Sequence, residues 1–282
     1  MLVSYRARRK IGSVALYALI ALVLVIIVFP LYWLVITSFK FDVDTAQFPP
    51  IFVPDRVTFG NYASVLQTEN ASKFWVNSIV TALSTTFLTC LIGSMAAYAL
   101  AKTYLAQKLR QGLILWILVI RIFPPVTTAI PYYIIIKNLG LGDTRISLIL
   151  TYVSYGLPFV IWLMLGFFQD LPADIEKAAI VDGCGFWQRF FQVVLPLTLP
   201  GLTVTAIFAF IAAWNEFLFA SILTSYQAKT LPVVISGYMS DKYLRWGEMS
   251  ALGTMMIVPV MVFSAATQKY LVRGLTFGAV KG

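Results

Sequence analysis

The residues that could carry covalent chemistry are missing in a consistent way. The chain has no histidine, and no nucleophile stands beside a base in a recognisable catalytic pattern. It holds no G-x-x-x-x-G-K-[ST] loop, nor any Gly-Lys dipeptide, so it offers no lysine to cradle nucleotide phosphates. Its two cysteines, Cys90 and Cys184, are assigned to an apolar run and a polar loop on opposite faces of the hydrophobic segments. Neither a metal site nor a disulfide framework is expected. What remains is non-covalent. Residues 169–196 read QDLPADIEKAAIVDGCGFWQRFFQVVLP, a polar stretch containing Glu176, Ala178, Ala179 and Gly183, then Val193, Leu195 and Pro196. Elsewhere Arg121, Asn215 and Glu216 interrupt otherwise apolar sequence.

These residues are positioned by a chain built for lipid. Of 282 residues 60% are hydrophobic and 12% charged, and the mean hydropathy is +0.84, a balance unlike that of a water-soluble globule. A bilayer core about 30 Å thick needs roughly 20 mostly apolar residues per helix. Runs of that kind lie near 13–38, 75–101, 112–136, 146–169, 199–224 and 249–268, predicting an all-α protein with six transmembrane helices. The net charge of +9 comes largely from residues at the ends of these runs, which act as topological anchors rather than a nucleic-acid surface. Arg6, Arg8, Arg9 and Lys10, then Lys102, Lys108 and Arg110, then Lys269, Arg273 and Lys281 place both termini in the cytoplasm by the positive-inside rule. The charge-free stretch 11–39 is too long for the core of a cleaved signal peptide and reads as a retained first span.

The expected organisation is a cytoplasmic N-terminus and first helix at 1–38, an outer loop at 39–74, a core of five transmembrane helices at 75–270, and a cytoplasmic tail at 271–282. Within the outer loop, the prolines of 49–54 resist helix and Thr58 is placed to cap a short helix that runs through Tyr62 to Leu66. Gly93, Ala97 and Ala101 recur every four residues and allow a neighbouring helix to approach closely. Prolines 124, 125, 131, 158, 196, 200 and 259 break or bend later spans. They are compatible with a moving bundle and equally with a static one.

The polar stretch at 170–196 is too long for a minimal connection. Pro172 suits a first helical turn, Asp174 and Glu176 favour its positive end, and Gly183 can end it in a left-handed conformation. Trp187, Phe190, Phe191 and Val194 then recur at helical spacing. A helix, a glycine turn and a helix result. Composition leaves two readings open: a knob for a cytoplasmic partner, or a helix pair resting on lipid headgroups.

The spacing Glu176, Ala178-Ala179, three residues, Gly183, nine residues, Val193, one residue, Leu195-Pro196 resembles the EAA loop of ABC importer permeases. The resemblance is strongest to maltose-type carbohydrate permeases with the MetI-like, type I importer fold. Phe59 to Tyr62 (Phe-Gly-Asn-Tyr), Asn77-Ser78, the Ala-Ala-Tyr-Ala at 96–99, Trp214-Asn215-Glu216, and the Arg-Gly-Leu-Thr at 273–276 with the Gly-Ala-Val-Lys-Gly tail at 278–282 are similar to elements of that family. The resemblance implies a subunit of a bacterial or archaeal cell membrane importer working by alternating access. Its partners would be two ATP-binding cassette subunits, a second homologous permease in a heterodimer, and an outer solute-binding protein. ATP and magnesium would bind those partners, with no cofactor on this chain. Glu176, Ala178, Ala179 and Gly183 would dock on the ATPase, Glu176 pairing with a basic group there. Residues 225–247 would form an outer loop facing the binding protein.

Arg121, about nine residues or roughly 14 Å into the third run, should face protein or a water-filled path, since burying it unpaired costs about 2.5–3.5 kcal/mol or more. Asn215 and Glu216 read either as a hydrated helix end or as part of the path. Tyr132 and Tyr155, with Trp116, Tyr133, Tyr152 and Trp162, suit stacking on a sugar ring or ordinary interfacial packing. A polyol or glycerol phosphate cargo is the alternative within this family. An ion-driven transporter or channel is the alternative outside it, and it fits poorly with the lack of acidic residues deep in the spans.

Overall fold

The structure is a computed structural model. It describes residues 5–68, 71–102, 106–239 and 244–277, with side chains described between 12 and 268. Apart from one isolated bridge between Met239 and Leu244, regular structure among these residues is helical. In chain order the elements are α1 (Tyr5–Ser38), α2 (Asp42–Thr45), α3 (Gly60–Gln67), α4 (Ala71–Lys102), α5 (Gln107–Ile122), α6 (Pro125–Asn138), α7 (Arg145–Gln169) and α8 (Ala173–Val181). Then follow α9 (Phe186–Gln188), a π-helical turn (Arg189–Val194), α10 (Leu195–Leu197), α11 (Leu199–Trp214), α12 (Leu218–Leu223), α13 (Leu231–Ser236) and α14 (Trp246–Phe277).

Four helices are long and apolar enough to cross a membrane unaided: Gly12–Ser38, Ala71–Lys102, Arg145–Gln169 and Trp246–Gln268. The third apolar run does not form one straight helix. It breaks after α5, and α6 leaves at 95°. The reason is local: Phe123 and Pro124 are extended, because a residue before proline is pushed out of the helical region. A second bend of 81° separates the segment Phe186–Leu197 from α11. Counting each bent pair as one span gives six. The seven prolines divide by role: Pro124, Pro125, Pro196 and Pro200 stand where helices begin, whereas Pro131, Pro158 and Pro259 lie inside α6, α7 and α14.

Two compact units emerge, Met1–Ala71 with Gly237–Ile257, and Ser72–Ser236 with Val258–Gly282. In the first, α1 is apolar all round and every described side chain from 12 to 32 is exposed, as suits a helix whose solvent is lipid. Polar contacts bind its end to the following loop. The Asn61 amide donates to the carbonyls of Ser38 and Lys40 at 2.9 and 2.8 Å, and the Tyr62 and Ser38 hydroxyls lie 2.7 Å apart. Asn61 and Tyr62 of the Phe-Gly-Asn-Tyr element thus staple the loop. Thr58 accepts from the Gly60 N–H at 3.0 Å, but the N-cap residue of α3 is Phe59, one position beyond the expected cap.

The second unit holds the core. Gly93 lets α4 approach α7 so closely that a Cβ there would lie 2.6 Å from Val160 Cγ1. Ala97, Tyr98, Val160, Met164 and Phe168 continue this seam, joined by Phe190 and Val194. A second cluster joins Ala129 and Ile136 of α6, Leu148 and Tyr152 of α7, and Phe219, Ala220 and Leu223 of α12.

Candidate functional site

Three features of the second unit bring the singled-out residues together, and the first is built on α8. Pro172 is its N-cap, with Asp174 and Glu176 in the first turn. Its far end closes by two bonds, Cys184 N–H to Ala179 O at 2.9 Å and Gly183 N–H to Ile180 O at 3.0 Å. Gly183 sits at φ 82°, the left-handed cap that disfavours any residue with a Cβ. The paired alanines face opposite ways: Ala179 is buried and Ala178 exposed.

Glu176 is held within its own chain. The Lys102 ammonium lies 3.1 Å from one carboxylate oxygen, with both side chains at most 16% exposed. The Tyr98 hydroxyl donates to the other oxygen at 3.1 Å. Lys102 also donates to the Leu171 carbonyl at 3.0 Å. Tyr98, buried, meets Phe168, Phe186 and Phe190 with ring centroids 5.6, 5.5 and 5.2 Å away. The C-terminal end of α4 is thereby latched to α8 and to the turn after it.

That turn departs from a plain helix. Residues Arg189–Val194 are π-helical and lead into Leu195 and Pro196, where proline brings no N–H to a helical bond. The aromatic stripe splits in two. Phe190 and Val194 are buried in the core, whereas Trp187 and Phe191 are exposed and stack on each other at 6.1 Å.

The second feature is a cavity of about 370 Å³ lined by α4, α7 and α11 with the end of α5 and the junction of α11 and α12, including Thr85, Thr89, Arg121, Tyr155, Glu216 and Phe219. Arg121 lies in the last turn of α5, beside the bend, with its guanidinium 5.1 Å from the Phe159 ring centroid and 5.7 Å from that of Tyr155. Among the described residues it forms no ion pair with Glu216. That carboxylate instead accepts from the N–H groups of Phe219 and Ala220 at 2.8 and 3.1 Å, capping α12. Tyr155 meets Phe219 at 5.6 Å. Asn215 is the exposed C-cap residue of α11 and Tyr132 bonds Ser154 at 2.6 Å, and neither belongs to the lining. Trp116, Tyr133 and Trp162 are exposed. Sequence reasoning missed Thr85 and Thr89, although threonines four apart inside an apolar helix are the signal that marks a polar face.

The third feature pins residues 225–231. Asp143, at φ 55°, accepts from the N–H groups of Ser225, Tyr226, Gln227 and Ala228 at 2.8–3.1 Å. Asn77 donates to the carbonyls of Gln227 and Lys229 at 2.9 Å, and accepts from Arg145 at 2.6 Å. The Leu231 N–H donates to Ser78 at 2.8 Å. Residues 240–243 of the expected loop, and the tail element at 278–282, lie outside the described residues.

Comparison with known proteins settles the family. Residues 89–277 match the binding-protein-dependent transport system inner membrane component family. The chain belongs to that family. It is a multi-pass membrane subunit of a transport system that works with a solute-binding protein. It is 36% identical to a probable ABC transporter permease, y4oR, of Sinorhizobium fredii over 98% of this chain and 97% of that one. It is 38% identical to the trehalose transport system permease SugB of Mycobacterium tuberculosis over 82% and 84%, and 33% identical to the diacetylchitobiose uptake permease NgcG of Streptomyces coelicolor over 97% and 90%. The fold matches a chain from a crystal structure of a bacterial ABC transporter for alginate, with TM-score 0.79, 22% identity and coverage of 96% and 99%.

Proposed function

We propose that this permease is one of two homologous membrane subunits of an ATP-driven importer for a sugar or oligosaccharide, with no catalysis of its own. Two ATP-binding cassette subunits, which bind ATP and magnesium, dock on the cytoplasmic segment 170–196, and both termini lie on that side. Glu176, Ala178, Ala179, Gly183, Val193, Leu195 and Pro196 form the coupling segment. Substrate arrives from a binding protein on the outer side, where residues 225–247 receive it, and passes the cavity holding Arg121, Tyr155 and Glu216. The observation that carries this reading is the family match together with a rigid, capped helix whose exposed Ala178 flank stands ready for a close-fitting groove. Relatives named for trehalose, diacetylchitobiose and sulfoquinovosyl glycerol support a carbohydrate cargo over a free polyol or glycerol phosphate.

The test is reconstitution of the co-purified complex in vesicles. Uptake should require ATP, the ATP-binding subunits and the binding protein together. Uptake by the purified chain alone, driven by an ion gradient, would overturn the proposal. Ligand identification on the captured binding protein separates sugar from polyol or glycerol phosphate.

A further inference from the structure

Beside α8 lies a cavity of about 270 Å³ lined by Tyr98, Lys102, Ala173, Glu176, Lys177, Ile180, Phe186 and Arg189. Most of its charges are accounted for within the chain. Lys102 lies 3.1 Å from Glu176, and Lys177 lies 2.8 Å from Asp174 on the exposed flank. Arg189 is the exception. Its Nε–H is buried with no hydrogen-bond acceptor, and among the described residues its guanidinium enters no ion pair. A buried donor on a permanent cation is costly to leave unsatisfied. A planar guanidinium fork is best satisfied by a carboxylate or a phosphate.

The surroundings favour the carboxylate of a protein. Outside the cavity lining, residues 170–185 carry Asp170, Asp174 and Asp182 and no Lys or Arg, so anionic headgroups approaching this rim are repelled. Inside the cavity the balance reverses, with Lys102, Lys177 and Arg189 against Glu176. A single acidic side chain reaching in from an otherwise basic or neutral groove fits both facts. We infer that Arg189 is the receiving group for an Asp or Glu side chain of the ATP-binding subunit, inserted between α8 and the π-helical turn. This rests on the proposed docking of that subunit at 170–196.

The experiment uses the intact, co-purified complex carrying Arg189→Lys, treated with a carbodiimide that joins amines to carboxylates in contact, followed by peptide mass spectrometry. The expected product links position 189 to an Asp or Glu of the ATP-binding subunit, and is absent from the wild type because guanidinium does not react. A complex that co-elutes intact but gives no such link, or links position 189 only to Glu176, overturns the inference. In parallel, Arg189→Glu should lower substrate-stimulated ATP hydrolysis at least about tenfold while Arg189→Lys retains most of it. Equal rates in Arg189→Glu and wild type overturn the inference. So does a loss in Arg189→Glu that appears only in vesicles rich in anionic lipid, which would make the ligand a headgroup phosphate. If the wild-type chain fails to co-purify with an ATP-binding subunit, the underlying assignment fails instead.

Discussion

Glu176 is one residue asked to serve two masters: the resemblance turns it toward a base on the ATPase, but in the chain it is bound by Lys102 and Tyr98. Breaking one side of a mostly buried pair leaves the other charge uncompensated, so Glu176→Lys and Lys102→Glu should each lower substrate-stimulated ATP hydrolysis of the assembled complex by about tenfold or more. The double exchange should restore most of it. A double variant as impaired as either single one would place the essential partner in another chain. Asp143 offers a second residue-level test, based on acidity. Burial alone would raise its carboxyl, but four backbone N–H donors hold it below its ordinary value. A folded value below the unfolded one gives stability that is present above about pH 4 and is lost as pH falls through the folded value. Hydrogen-exchange protection of amides 225–228 should therefore drop in acid. Asp143→Asn should lose protection at neutral pH, and its difference from wild type should close below about pH 4.

The elements depend on close packing at a few points. Adding a side chain at Gly93 drives a Cβ into Val160, whose own side chain is fully buried and stiff. Gly93→Val should destabilise the protein by about 1–3 kcal/mol, read as earlier thermal aggregation in detergent, and Val160→Ala in the same chain should recover part of the loss. This seam was legible in the sequence because small residues every four positions have one physical use in a long apolar helix. The capped helix α8 was legible too, since Pro172, the first-turn acids and Gly183 each act locally. What escaped were features that arise between distant residues. Nothing near Glu176 in sequence points to Lys102, seventy-four positions earlier. The 95° bend after α5 was half visible: Pro124 and Pro125 mark a break, but hydropathy continues unbroken across it, so the run reads as one span. The π-helical turn was hidden by an aromatic spacing that fits an ordinary helix equally well.

For the whole molecule, the bend after α5 and the break between α11 and α12 border the cavity. An unbroken α5–α6 rod would carry Arg121 within a continuous helix, whereas the bend leaves it at a helix end beside Tyr155 and Phe159, on a cavity that α11 and α12 close with Glu216 as the cap between them. About 370 Å³ lies at the small end of ligand-sized sites, which run to roughly 1,000 Å³. A long oligosaccharide would therefore fit only after the helices part, or in a space shared with the second permease proposed above. If cargo passes here, narrowing this wall should stop passage without disturbing recognition on the outer surface. Ala213 lines the cavity near the end of α11, and Ala213→Trp would fill much of it. Uptake into vesicles should then fall at least about tenfold while the affinity of the complex for its loaded binding protein is kept. Undiminished uptake with the indole in place would move the path off this chain and onto its partner.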